Sequence, residues 1–180
     1  GVAPEDLLNK RLAEVPPGSE GLMLQPYWTA GLKSPEARGA IIGFSDAHTR
    51  THIYRAIIEG INFTLFDGMK SIEHCTGMAT KRILVSGGGS QSDMICQITA
   101  DMFGLPVCKG QTHEASGLGA AIIGYVSTGA FSSYEEAVRS MVHYARIFVP
   151  DAAAAKLYRE MFAQVYQRVY RSLQPLYRRM

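Results

Sequence analysis

The chain has 180 residues, 47% hydrophobic and 19% charged, with a formal net charge of +2. That size and balance fit one globular core with an accessory helical layer and argue against a disordered or membrane-embedded chain. No apolar run reaches the roughly 18 residues that span a bilayer. The mild basic bias, bunched at Arg168, Arg171, Arg178 and Arg179, reads as the solvated face of a terminal helix and not as a nucleic-acid surface.

Residues 4–14 (PEDLLNKRLAE) predict a short helix with Pro4 near its start, stopped by Pro16, Pro17 and Gly18. LMLQPYW at 22–28 is a short extended run entering a loop of Gly, Lys, Ser and Pro, and GAIIGF at 39–44 is a compact apolar strand. Tyr54, Ile57, Ile58, Ile61, Leu65 and Met69 then recur at steps of three and four, predicting a long amphipathic helix from Thr51 to about Glu73.

RILVSGGG at 82–89 is a strand of buried type ending in glycines. Met94, Ile95, Ile98 and Met102 mark the next helix, which Gly104 ends. LPVCK at 105–109 is a further strand, and SGLGAAIIGYVSTG at 116–129 a helix of small residues. Two helices are expected near 134–146 and 151–174, the last broken by Pro175. Alternation of strands and helices argues for an α/β layer, although three clear strands are few for a sheet covered on both faces.

Cys75, Cys96 and Cys108 are odd in number and widely spaced, which argues for a reducing, cytoplasmic setting over a disulfide framework. His48 and His52 stand at i, i+4, but no third metal ligand is evident, and no metal site is assigned. Tyr158, Phe162, Tyr166 and Tyr170 have helical spacing and are expected to pack; Cys96 is expected in the core.

The most informative segment is VSGGGSQSDMICQITADMFGLPV at 85–107, where a strand ends in Gly87, Gly88 and Gly89 and a helix starts two residues later. Glycine lets backbone approach a ligand closely, and free N–H groups at a helix start favour negative charge. Ser90 and Ser92 can cap that helix or donate to a ribose or phosphate. A Walker loop needs a lysine that is absent here, and Ser92 stands where a dinucleotide fingerprint has its third glycine. Taken alone, the glycines leave two readings open, a ligand cradle or a tight strand-to-helix connection.

The wider pattern resembles the FGGY carbohydrate kinases. The stretch from Ser86 to Val107 follows the family's adenosine-binding order of glycines, polar helix start, Gln, Ala-Asp, Gly and Pro-Val. Gly39, Ile41, Gly43, His52, Ile53, Ala56, Ile57, Ile58 and Glu59 resemble its second signature, with Phe44 replacing the usual aliphatic residue. PYW at 26–28 with Ala37-Arg38-Gly39, and EASGLGAAIIGYVSTGAF at 114–131, extend the likeness over about 115 residues.

The resemblance implies an actin-like, ribonuclease-H-like ATPase domain with a mixed sheet, packed helices and a helical tail at 134–180. It implies a xylulose- or glycerol-kinase-like parent that transfers the ATP γ-phosphate to a sugar or polyol hydroxyl with Mg2+. Gly87, Gly88 and Gly89 would lie beside the phosphates and ribose. Ser92 would stand near the adenine, and Gln91 is a weaker candidate for the same pocket. The N-terminal domain with the sugar pocket and the catalytic Asp is expected to be absent, as is the Thr-Gly phosphate turn before Gly39. Asp46, Asp67, Asp93 and Asp101 are poor general bases, so no catalytic residue is assigned and the piece alone is expected to be inactive.

The chain opens on Gly1, as expected of a trimmed or partial product. Lost upstream strands would leave a sheet edge, so a homodimer or aggregation through that edge is expected. The alternatives are a non-kinase nucleotide module of the actin-like group, an inactive fragment, and a Rossmann oxidoreductase, which Lys109-Gly110 at the end of the next strand disfavours.

Overall fold

The computed structural model describes residues 4–28 and 35–180. The loop expected after Trp28 falls largely at 29–34, outside the described residues. Helix α1 (Pro4–Arg11) carries Glu5 and Asp6 in its first turn and Lys10 and Arg11 in its last, the order that suits the helix dipole. A single tighter turn, Leu12–Glu14, carries the chain toward Pro16.

Strands β1 (Met23–Gln25) and β2 (Ala40–Ile42) pair antiparallel, with Met23 opposite Ile42. Helix α2 (Arg50–Thr76) is the spine of the molecule. It begins where the Thr49 N–H donates to His52 Nδ1 at 3.2 Å and ends at Gly77, whose φ is +70°. The helix forms where the apolar spacing predicted it, but the buried face differs: Ala56, Phe63 and Phe66 join Ile58 and Met69, whereas Ile61 and Leu65, expected on that face, are exposed. Strand β1 crosses α2 so closely at Gly60 that a Cβ there would collide with the Leu24 carbonyl.

The second sheet has the order β3 (Ile83–Val85), β4 (Val107–Gly110) and β5 (Tyr144–Phe148). Helix α3 (Asp93–Phe103) joins β3 to β4, which run parallel. Strand β5 is antiparallel to β4, so the sheet is mixed. Helices α4 (Ala115–Ser127) and α5 (Tyr134–Met141) intervene before β5. The chain closes with α6 (Ala152–Met161), a π-turn at Phe162–Tyr166, and α7 (Gln167–Tyr177).

Strand β3, expected to be of buried type, has none of its residues buried, Leu84 being the most exposed. Two expectations for the C-terminal part also need correction. The helix expected to 146 stops at Met141, and Tyr144–Phe148 forms a strand, so a strand interrupts the tail expected to be helical. Pro175 does not break the last helix: α7 continues to Tyr177, which is buried and whose ring lies against Tyr170. Proline near a helix end forfeits one hydrogen bond, which that burial offsets.

The main core lies between α2 and the C-terminal helices. Phe63 stacks on Tyr166 at 4.9 Å between centroids, and Phe66 meets Phe162 edge-on at 4.9 Å. Tyr158, Phe162 and Tyr166 are buried and Tyr170 is half-buried, so the aromatic run packs as expected. Arg55 and Glu59, both buried, form an ion pair of 2.8 Å on the same face of α2. Among the described residues no helix is long and apolar enough to cross a membrane.

Candidate functional site

The glycine turn is fixed from both ends. Gly87 has φ +81° and ψ −173°, a conformation open essentially to glycine alone, and its N–H donates to the His113 carbonyl at 3.0 Å. Gly88–Gln91 form one tight helical turn. Within it Ser90 is buried, its hydroxyl donating to the Gly87 carbonyl at 2.7 Å. The Cys96 thiol lies beneath, 3.5 Å from the Ser90 carbonyl, and burial pushes its pKa up. Ser92 accepts the Ile95 N–H at 3.4 Å and so caps α3.

Positions Gly88 and Gly89 are open. A Cβ built on either meets no heavy atom within 4 Å, so packing does not demand glycine there. Both border a cleft of about 730 Å³ whose near wall also includes Gln91, Ser92 and Ile95. The far wall is α1, with Glu5, Asp6, Asn9 and Lys10, and Tyr54 of α2 lies between the walls. The Tyr54 hydroxyl donates to Asn9 Oδ1 at 3.1 Å, tying α2 to α1. Loss of hydration, then the nearby Glu5 carboxylate, pushes the Tyr54 phenol above its ordinary pKa.

Three of the four sequence-predicted site residues, Gly88, Gly89 and Ser92, line one cleft together with Gln91. Gly87 stands behind the lining and supplies the bend. Glu5, Asp6, Asn9, Lys10 and Tyr54 were not anticipated. Tyr54 carries an ordinary core spacing, and α1 reads only as a capped helix, so no local signal places them opposite the glycines. Leu12, in the turn just after α1, packs with Ile58 and Ile98 in the buried cluster that joins that turn to α2 and α3 beside the cleft.

Other candidates resolve into structural roles. Gln97 Nε2 donates to Asp101 Oδ1 at 2.8 Å and to the Val149 carbonyl at 2.9 Å. Asp101 Oδ1 also accepts the Asp151 N–H at 2.8 Å, which fixes the start of α6. The His48 and His52 rings lie 5.4 Å apart, but each Nδ1 accepts a backbone N–H, from Ser45 and Thr49 respectively. Among the described residues no group of three or more such side chains is placed to hold a metal. Glu114 begins α4 through its carbonyl, which accepts the Leu118 N–H; its side chain makes no capping bond.

The family model for the C-terminal domain of the FGGY family of carbohydrate kinases matches residues 4–128. An uncharacterized sugar kinase, YgcE, of Escherichia coli (strain K12) is 38% identical over 160 residues, covering 89% of this chain and 32% of that protein. A xylulose kinase of Lactococcus lactis is 34% identical over 172 residues, covering 91% of this chain and 34% of its own. The crystal structure of xylulose kinase from Rhodospirillum rubrum superposes with a TM-score of 0.81 at 29% identity, covering 97% of this chain and 35% of that one. The chain therefore spans about a third of the length of the curated relatives it matches.

Proposed function

The chain belongs to the FGGY family of carbohydrate kinases, and from that premise we propose that it is the ATP-holding C-terminal domain of a sugar or polyol kinase. Its architecture is that of the family's actin-like ATPase fold. The observation that carries the proposal is the glycine turn at the end of β3, open onto a cleft inside the family-matched segment.

In this reading the Gly88 and Gly89 backbone faces the phosphates and ribose, where the first N–H groups of the turn act as donors. Gly87 holds the bend that aims them. Ser92 stands near the base, its hydroxyl already engaged in capping α3, so its contact with the ligand is through shape. Glu5, Asp6 and Asn9 offer acceptors suited to ribose hydroxyls or an exocyclic amine. The Glu5 and Asp6 carboxylates, offset in part by Lys10, leave that wall net negative, which favours a ligand with its phosphates at the glycines.

ATP supplies the transferable phosphoryl group, with Mg2+ neutralising phosphate charge. Asp93, two residues beyond the turn, is already paired with Lys109 and Arg146. Positioning and charge stabilisation are then this domain's contribution. The sugar pocket and the base that accepts the hydroxyl proton lie outside these 180 residues. A cytoplasmic setting is part of the proposal, supported by three free cysteines at wide spacing. So is self-association through the β3 edge, where Leu84 is 60% exposed.

The test is ADP release with a panel of D-xylulose, ribulose and glycerol, using the longest natural polypeptide that contains this chain. Release that depends on one of them, and is lost when Gly88 is replaced by valine, supports the proposal. ATP turnover indifferent to every sugar, or no turnover at all, contradicts it.

A further inference from the structure

Asp93 is the first residue of α3, yet Ser92 and not Asp93 caps that helix. The Asp93 carboxylate instead reaches across the sheet. Its Oδ1 accepts from Lys109 Nζ of β4 at 2.8 Å, and its Oδ2 accepts from Arg146 of β5. Lys109 Nζ also donates to the carbonyl of Gln91, the last residue of the glycine turn, at 3.3 Å. Three elements thus converge on the point where the turn leaves for α3.

Lys109 and Arg146 are direct cross-strand partners, and like charges placed opposite each other destabilise a strand pair. Asp93 between them converts that cost into a closed three-residue network. Consecutive glycines have more backbone freedom than any other residues, so Gly87–Gly89 need restraint from outside. The Gly87 N–H bond to His113 restrains the start of the turn, and Lys109 on the Gln91 carbonyl restrains its end. Between those two ties lie Gly88 and Gly89, the open positions on the cleft.

We propose that Asp93, Lys109 and Arg146 form an electrostatic clamp that sets the geometry of the Gly88–Ser92 backbone against the nucleotide. They are positioning residues, acting through the Gln91 carbonyl. The inference rests on reading the glycine turn as the nucleotide cradle. Lys109 is the central member: it is 23% exposed and touches both the carboxylate and the carbonyl, whereas Arg146 is 61% exposed, lies over the Phe148 ring and makes no bond to the glycine turn. The network therefore ranks its own members, with Lys109 and Asp93 ahead of Arg146.

The test compares wild type with Asp93→Asn, Lys109→Met, Lys109→Arg and Arg146→Gln. Amide hydrogen exchange of residues 87–92 is followed without nucleotide, and the affinity for MgATP is measured by calorimetric titration. Asp93→Asn and Lys109→Met are expected to speed exchange in 87–92 while leaving exchange along α2 unchanged. They are expected to weaken MgATP binding roughly three- to tenfold, the modest scale of partly exposed ion pairs. Lys109→Arg retains most of both properties, and Arg146→Gln, the mildest change, shows a smaller effect in the same direction.

Unchanged exchange in all variants overturns the clamp, and so does faster exchange with undiminished affinity. If Asp93→Asn or Lys109→Met unfolds, Arg146→Gln decides by the same two readouts. If wild type binds no nucleotide, the reading of the turn fails separately, and the clamp stands or falls on the exchange of 87–92.

Discussion

Tyr158 and Glu59, 99 positions apart in the chain, meet at 2.6 Å in the core, the phenol donating to carboxylate Oε1. The same carboxylate accepts from Arg55 Nε at 2.8 Å, the Gly18 N–H at 3.0 Å and the Ser19 hydroxyl at 3.0 Å. Arg55 in turn donates to the Leu12 and Val15 carbonyls. Glu59 is the acid that closes the second family signature, and its role here is to brace α2 against the 12–19 segment and α6. Desolvation, then the Glu59 charge, drives the Tyr158 phenol far above its ordinary pKa and keeps it a donor.

Removing one member of that brace leaves a buried charge unpaired. Glu59→Ala is expected to cost about 3–5 kcal/mol, while the apolar pair Arg55→Leu with Glu59→Leu costs less than the sum of its single changes. Urea midpoints of Glu59→Ala, the two single leucine variants and their combination provide the check. Equal stability of Glu59→Ala and wild type would contradict the assignment.

Gly87 and Gly88 are expected to respond in opposite ways to alanine. At Gly87 the backbone conformation excludes other residues, so Gly87→Ala loses about 1–3 kcal/mol of stability. At Gly88 a Cβ meets nothing, so stability is held within about 1 kcal/mol while nucleotide affinity falls. Paired melting and nucleotide-binding curves separate the two.

These contrasts follow how far the fold was legible in the sequence. Helix α2 and the β3–glycine–α3 unit were readable because their signals are local: a 3–4 apolar spacing in one, a strand ending in glycines in the other. Strand β5 was not. Tyr144–Phe148 exposes every residue but Phe148, so no alternation of burial marks it, and it exists through pairing with β4. Val142 and His143, the residues after α5, look in sequence like a helix continuing. The α1 wall of the cleft was hidden for a similar reason: Glu5 and Asn9 face the glycines only because Leu12, Ile58 and Ile98 pack together.

Acid is expected to weaken the fold through carboxylates held below their ordinary range. The Thr80 N–H, at 2.8 Å, and then Lys70 lower the pKa of Glu73; Lys109, and more weakly Arg146, lower that of Asp93. With the folded pKa below the unfolded one, the unfolded chain takes up protons first as pH drops. The stabilisation is complete above the ordinary carboxylate range and is lost as pH falls through the folded values. Urea midpoints between about pH 6 and pH 3 should decline, and Glu73→Gln should flatten that slope while lowering the midpoint at neutral pH.

The β3 edge is expected to drive association. Leu84 is 60% exposed on that strand, and Ile61 and Leu65 of α2, 43% and 57% exposed, border the adjoining apolar groove. Light scattering during size exclusion should show mass rising with concentration, and Leu84→Lys should suppress it. A wild-type protein that stays monodisperse at high concentration contradicts this.

The most direct test of the central claim is a calorimetric titration of this chain with MgATP, repeated on Gly88→Val. Saturable one-to-one binding is expected of the wild type and at least a tenfold loss in Gly88→Val, with the folded state of both intact by circular dichroism. No binding by the wild type, or undiminished binding by Gly88→Val, would show that the glycine turn after β3 is not the nucleotide cradle.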